Sequence, residues 1–188
     1  MILPFSTELT GNKTYFPEKI LAGLRNRHDV KYIKPLHERV TPIENFIAEA
    51  HDRFLPIYEI NRLVLSTCKP KLHSMRVDEN NRWQAGNKID FFINNRSKKM
   101  LRFAPTVKCI STQTIEIIFN DEDKVYQFSI DDKFVGVAFK DKIKKRFRFN
   151  EAVEQIAHND GFESVEAFLN YFKDGFIGKI IHWTDLKY

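Results

Sequence analysis

With 188 residues, 43% of them hydrophobic and 29% charged, the chain has a globular composition, which excludes a collagen-like, coiled-coil or wholly disordered protein. Its length fits one domain, and 17 phenylalanines supply material for a sizeable core. The net charge of +5 is unevenly placed: Lys69–Arg102 carries +6 and Lys140–Arg148 carries +5, leaving the remainder at −6. Such clustering fits an electrostatic footprint for a polyanion, or two solvated basic faces.

Ile2–Phe5 reads as a short strand, and Pro17–Leu24 as a short helix with Ile20, Leu21 and Leu24 on one face. Residues 25–40 are polar and irregular. Thr41-Pro42-Ile43-Glu44 is a helix start, in which Thr41 caps, Pro42 takes the first helical position and Glu44 completes a capping box. Ile43, Phe46, Ile47 and Phe54 follow at helical spacing, and Pro56 ends or kinks the helix. From Lys88 the period changes to that of strands, at Ile89–Ile93, Val107–Ile110, Thr114–Phe119, Lys124–Ile130 and Phe134–Phe139. Asn120-Asp121-Glu122-Asp123 reads as a hairpin turn. Asn150 caps a helix through His158, Gly161 breaks the chain, Ser164 starts a helix through Phe172, and Ile180–Trp183 closes as a strand. Short strands with helices at the start, the end and an insertion predict an α+β fold, a small β-barrel with flanking helices.

Cys68 and Cys109 stand far apart, and the six histidines show no HxxxH or HExxH spacing, so neither a disulfide scaffold nor a metal site is expected. No apolar run approaches the roughly 20 residues that span a membrane, and no basic leader opens the chain. The expectation is a soluble cytoplasmic protein with no cofactor.

The most unusual segment is Lys69-Pro70-Lys71-Leu72-His73-Ser74-Met75-Arg76-Val77-Asp78, followed by Arg82-Trp83-Gln84-Ala85-Gly86-Asn87-Lys88-Ile89. If Lys71–Arg76 is extended, Lys71 and His73 point one way while Ser74 and Arg76 point the other, and a twist or bulge would bring Lys71 to Ser74. A lysine beside a hydroxyl suits a nucleophile with its base, or a phosphate cradle; the bland reading is a solvated basic strand end. Trp83 reads as a stacking platform or as a core or rim aromatic. Arg96, Lys98 and Lys99 sit in a polar loop suited to phosphates. Lys144, Lys145, Arg146 and Arg148 alternate with Ile143 and Phe147, as on a strand offering bases one face and phosphates the other, or as on a guarded edge. His182-Trp183-Thr184-Asp185 reads as site-lining or as terminal packing.

Three motifs in order resemble the ASCH domain family. Ile20-Leu21-Ala22-Gly23 matches its Ile-Leu-x-Gly turn, Lys71-Leu72-His73-Ser74-Met75-Arg76 is similar to its Lys-Thr-x-x-x-Arg, and Ala85-Gly86-Asn87-Lys88-Ile89 to its Gly-Asp-x-Ile strand. Ala157-His158-Asn159-Asp160-Gly161-Phe162-Glu163-Ser164-Val165-Glu166-Ala167-Phe168 is similar to its acidic-Gly-Phe-x-Ser-x-x-x-Phe helix pair. The resemblance implies a single PUA-like barrel with a helical insertion at 24–68 and a role in binding RNA or a nucleotide-like ligand. It also implies an alternative activity, as an amidohydrolase on an acylated nucleoside such as N4-acetylcytidine, or RNA cleavage. Carried over by motif, the lysine falls on Lys71, the nucleophile on Ser74 and the acid on Asp160, with Ser replacing the family's Thr and Asp its Glu. Arg76, Arg82 and Trp83 would line the ligand cleft, with Arg76 either contacting the ligand or pairing with Asp78 or Asp160. A protein-interaction domain is the remaining class.

Overall fold

A computed structural model describes residues 1–9, 11–24, 68–141 and 146–188. The helix expected at 41–56, almost all of the 24–68 insertion, and Lys144 and Lys145 lie outside these residues. In chain order the elements are β1 (Ile2–Phe5), β2 (Glu8–Leu9), β3 (Asn12–Lys13), α1 (Phe16–Leu24), β4 (His73–Arg76), β5 (Lys88–Ile93), β6 (Leu101–Arg102) and β7 (Val107–Lys108). They continue with β8 (Ser111–Asn120), β9 (Val125–Ile130), β10 (Lys133–Lys140), β11 (Phe147–Phe149), α2 (Glu151–Asn159), α3 (Val165–Tyr171) and β12 (Phe176–His182). The protein is α+β, mostly strand, as the alternating sequence predicts. Among the described residues no helix is long and apolar enough to cross a membrane.

The described chain sorts into two compact units: Met1–Pro70 with Lys88–Val107, and Lys71–Asn87 with Lys108–Tyr188. In the first, β1 runs parallel to β5 and β6 antiparallel to it. Period-two burial on β5 turns Ile89, Phe91 and Ile93 inward. Phe5, Phe91 and Phe103 pack ring against ring at about 6 Å, and Phe16, at the start of α1, meets Phe5 edge-on. Phe16 donates its N–H to the Thr14 hydroxyl, which starts the helix where a side-chain acceptor precedes Pro17.

The second unit is a curled, antiparallel half-barrel sheet in the order β11-β10-β9-β8-β12-β4. One face carries Met75, Ile115, Ile117, Tyr126, Phe128, Ile130, Ala138 and Ile180, and the buried sides of α2 and α3 close it with Val153, Ile156, Phe168 and Leu169. The side-chain oxygen of Asn150 accepts from Val153 N–H and that of Ser164 from Ala167 N–H, so both expected caps open their helices. Between them Gly161 adopts a positive φ of 91°, and Phe162 N–H reaches back to Ala157 carbonyl, ending α2 as a glycine terminus does. Gly136 permits the helix to dock, because a Cβ there would lie 2.1 Å from Asn150 Oδ1. Asn150 also donates to Val135 carbonyl at 2.8 Å.

The expected hairpin turn is present, with Asn120 Oδ1 accepting from Glu122 N–H and Asp123 N–H. The closing strand begins earlier than the sequence predicts, at Phe176 rather than Ile180, because β12 pairs with β8 over seven residues despite Gly178 and Lys179. Conversely, β7 is shorter than the apolar run Val107–Ile110 suggests.

Candidate functional site

Strand β4 lies at one edge of the six-stranded sheet and pairs only with β12 within it. An edge strand leaves backbone N–H groups without sheet partners. The C-terminal turn of α2 supplies an acceptor for one of them and another for the residue before the strand: Met75 N–H donates to Asp160 Oδ1 at 3.1 Å, and Leu72 N–H to Asn159 carbonyl at 2.8 Å. Lys71, just before the strand, donates its ammonium to the same Asp160 Oδ1 at 2.7 Å and to the Asp160 backbone carbonyl. The cation therefore meets both a carboxylate and the negative end of the α2 dipole. Lys71 is 1% exposed and Asp160 5%.

His73 adds to this cluster from the face it shares with Met75. Its Nδ1 lies 3.5 Å from Asp160 Oδ1, and its Nε2 is 2.8 Å from Tyr188 hydroxyl. Asn159 donates its amide to that hydroxyl at 2.9 Å. The Tyr188 hydroxyl meets His73 Nε2 in either tautomer of the imidazole, and His73 Nδ1 has no hydrogen-bond partner among the described residues. Across the register His73 pairs with His182, the two rings 5.5 Å apart. His182 is fully buried, and neither of its nitrogens has a hydrogen-bond partner among the described residues.

The electrostatics follow from this packing. Burial opposes ionisation of Asp160, yet the Lys71 ammonium and the His73 contact outweigh it and hold the carboxyl below its usual range. Burial lowers both histidines; His182, with His73 and Lys187 nearby, is brought down to about 3. Burial also raises the Tyr188 phenol. The centre is thus an ammonium–carboxylate pair flanked by two neutral imidazoles and a neutral phenol.

Of the three residues assigned catalytic roles, Lys71 and Asp160 converge and Ser74 does not join them. Alternation along β4 directs Ser74 away from the face that His73 and Met75 share. Ser74 is 1% exposed. Arg76 follows Ser74 in the alternation; burial lowers its guanidinium against the charges of Asp160 and Tyr171, and Nη1 approaches Met75 carbonyl at 3.5 Å.

The expected ligand-binding residues divide by exposure. Trp83 is buried at 5%; its N–H donates to Asp78 Oδ2 and its carbonyl accepts from Lys179. Arg82 is exposed beside it, with Nε 4.0 Å from Asp78. Arg96, Lys98 and Lys99 are exposed on the 94–100 loop, whose turn Ser97 and Asn94 fasten. Arg146 and Arg148 are also exposed, Arg148 donating to Asp141 at 2.9 Å. No three His, Cys, Asp or Glu among the described residues are grouped to hold a metal ion.

Sequence reasoning missed Tyr188 and Asn159 and gave His73 no role. The signal for His73 is present, since it shares Lys71's parity on an extended segment. Tyr188 has none: it meets His73 across 115 residues. Comparison of the chain with family models, with curated proteins and with solved structures finds no match in any of the three.

Proposed function

We propose that this protein binds RNA or a nucleotide-like ligand through an ASCH-like module with a PUA-like barrel. The observation that carries the reading is the division of its cations. Lys71 is neutralised inside the second unit by Asp160, whereas Arg82, Arg96, Lys98, Lys99, Arg146 and Arg148 of the two basic segments are on the surface. Exposed lysine and arginine hold phosphates by charge and by charge-assisted hydrogen bonds, independently of base sequence. In this reading the Lys71–Asp160 pair positions β4 and α2 rather than contacting the ligand.

The test is equilibrium binding of fluorescein-labelled RNA by the wild type and by an Arg96→Glu, Lys98→Glu, Lys99→Glu triple variant. The expected result is at least tenfold weaker binding by the variant; equal binding contradicts the assignment of that loop. One observation favours the amidohydrolase reading, the 2.7 Å contact of Lys71 with Asp160. Release of acetate from N4-acetylcytidine, lost in both Lys71→Ala and Ser74→Ala, would replace binding by catalysis as the primary function.

A further inference from the structure

The core side of the six-stranded sheet changes chemistry toward one end. Met75, Ile180 and Gln113 form one row across β4, β12 and β8, and His73, His182 and Ser111 form the next. Alternation keeps both rows on the same face, so the apolar lining gives way to two imidazoles, a hydroxyl and an amide. His73 and His182 are fully buried and Gln113 is 7% exposed. Both nitrogens of His182 and Oγ of Ser111 are buried with no hydrogen-bond partner among the described residues. Folded proteins leave few buried polar atoms unpaired, so adjacent orphans in one row point to a group that pairs with them.

The chain fills this place with Tyr188. Its ring stands edge-on to His73, centroids 5.5 Å apart, and 6.1 Å from His182. Its hydroxyl meets His73 Nε2 at 2.8 Å and accepts from the Asn159 amide at 2.9 Å. The Gln113 amide clasps its backbone: Tyr188 N–H donates to Gln113 Oε1 at 2.9 Å, and Gln113 Nε2 to Tyr188 carbonyl at 3.0 Å. Tyr188 itself is only partly buried. The phenol satisfies one edge of the site and leaves His182 and Ser111 unpaired, because the other edges of its ring are hydrocarbon. A six-membered heterocycle in the same slot keeps the ring contacts and carries donors and acceptors on those edges. Burial keeps both imidazoles neutral, each with one donor and one acceptor, which suits an uncharged ring of this kind.

We propose that Tyr188 is the displaceable occupant of a pyrimidine-base site lined by His73, His182, Ser111 and Asn159. The proposal rests on the reading of a nucleotide-like ligand and adds the place where its base is read and the side chain that gates it. An internal occupant lowers apparent affinity by the fraction of the time it leaves the site open, so loosening it raises that affinity.

The test titrates the wild type, Tyr188→Ala and Gln113→Ala with uridine, cytidine and adenosine, and in a parallel arm with a labelled uridine dodecamer. Tyr188→Ala removes the occupant and Gln113→Ala frees its backbone, so both should bind the pyrimidine ligands at least tenfold more tightly than the wild type, while adenosine gains nothing. Tyr188→Phe keeps the packed ring, and with it the fold, but gives up the hydroxyl contacts; it should gain affinity in the same direction. Saturating uridine should shift the ring nitrogen resonances of His182. A gain with the free nucleosides alone assigns the site to a nucleoside, and a gain with the dodecamer alone assigns it to a base carried by RNA; either supports the site. Variants that lose stability without gaining affinity leave Tyr188 a packing residue and overturn the proposal. Dodecamer binding that no variant changes, with no nucleoside bound, overturns the site and leaves the RNA-binding reading in place. No binding of nucleoside or dodecamer by any of the proteins overturns both.

Discussion

Asp160 receives three hydrogens through one carboxylate oxygen and its own carbonyl: the Lys71 ammonium twice and Met75 N–H once. Removing Lys71 leaves a buried carboxylate without its cation, which costs about 3–5 kcal/mol when a pair is broken from one side. Lys71→Met is therefore expected to lower unfolding free energy by that amount in urea titration, and Lys71→Met with Asp160→Asn by much less. The histidines set a pH window. Both are held below the ordinary 6.5 by burial, His182 at about 3. The unfolded chain then takes up protons before the folded one, so stability is full above about pH 6.5 and falls as pH drops toward 3. The expected slope from His182 is about 1.4 kcal/mol per pH unit between those limits, and His73 adds to it in the same direction. Asp160 acts lower still, its contribution being lost only below its ordinary 3.8. His182→Phe removes two unpartnered buried nitrogens and should flatten the profile between pH 6 and 4, as urea midpoints would register; an unchanged profile contradicts the assignment. At this scale the sequence was half informative. The parity of Lys71 and His73 is readable from an extended segment, whereas their meeting with Asp160 depends on a contact 89 residues away.

The elements were more legible than their neighbours. Asn150 and Ser164 announce α2 and α3 because capping is local chemistry, and period-two burial announces β8, β9 and β10. What local chemistry does not specify is that β12 lies between β8 and β4, an arrangement set by the shared core of Met75, Ile115 and Ile180. Two backbone details give predictions. Asp131 and Asp132 form a two-residue hairpin loop with φ of 49° and 61°, the left-handed pair of a type I′ turn. Asp131 is held there by hydrogen bonds from Gln113 and Thr114, so Asp132 is the position to relax. Asp132→Gly should stabilise the hairpin by up to about 1 kcal/mol, visible as a higher urea midpoint with unchanged m. Gly136→Ala should do the reverse: its methyl displaces Asn150 from the cap, at a cost of about 1 kcal/mol or more, and amide exchange in the first turn of α2 should quicken.

On the scale of the whole molecule the charge is unevenly placed. A chain of +5 divides into two basic segments and an acidic remainder, and the one lysine that the motif singles out is consumed internally. The proposed binding of RNA rests on the exposed cations of the two basic segments. The most direct measurement is the affinity for a labelled single-stranded RNA across a salt series from 50 to 300 mM. Counterion release makes log K fall linearly with log salt, by about 0.7 for each phosphate neutralised on a single strand. Engagement of several of Arg82, Arg96, Lys98, Lys99, Arg146 and Arg148 predicts a slope of roughly −2 to −4. A slope near zero, or no binding at the lowest salt, contradicts it.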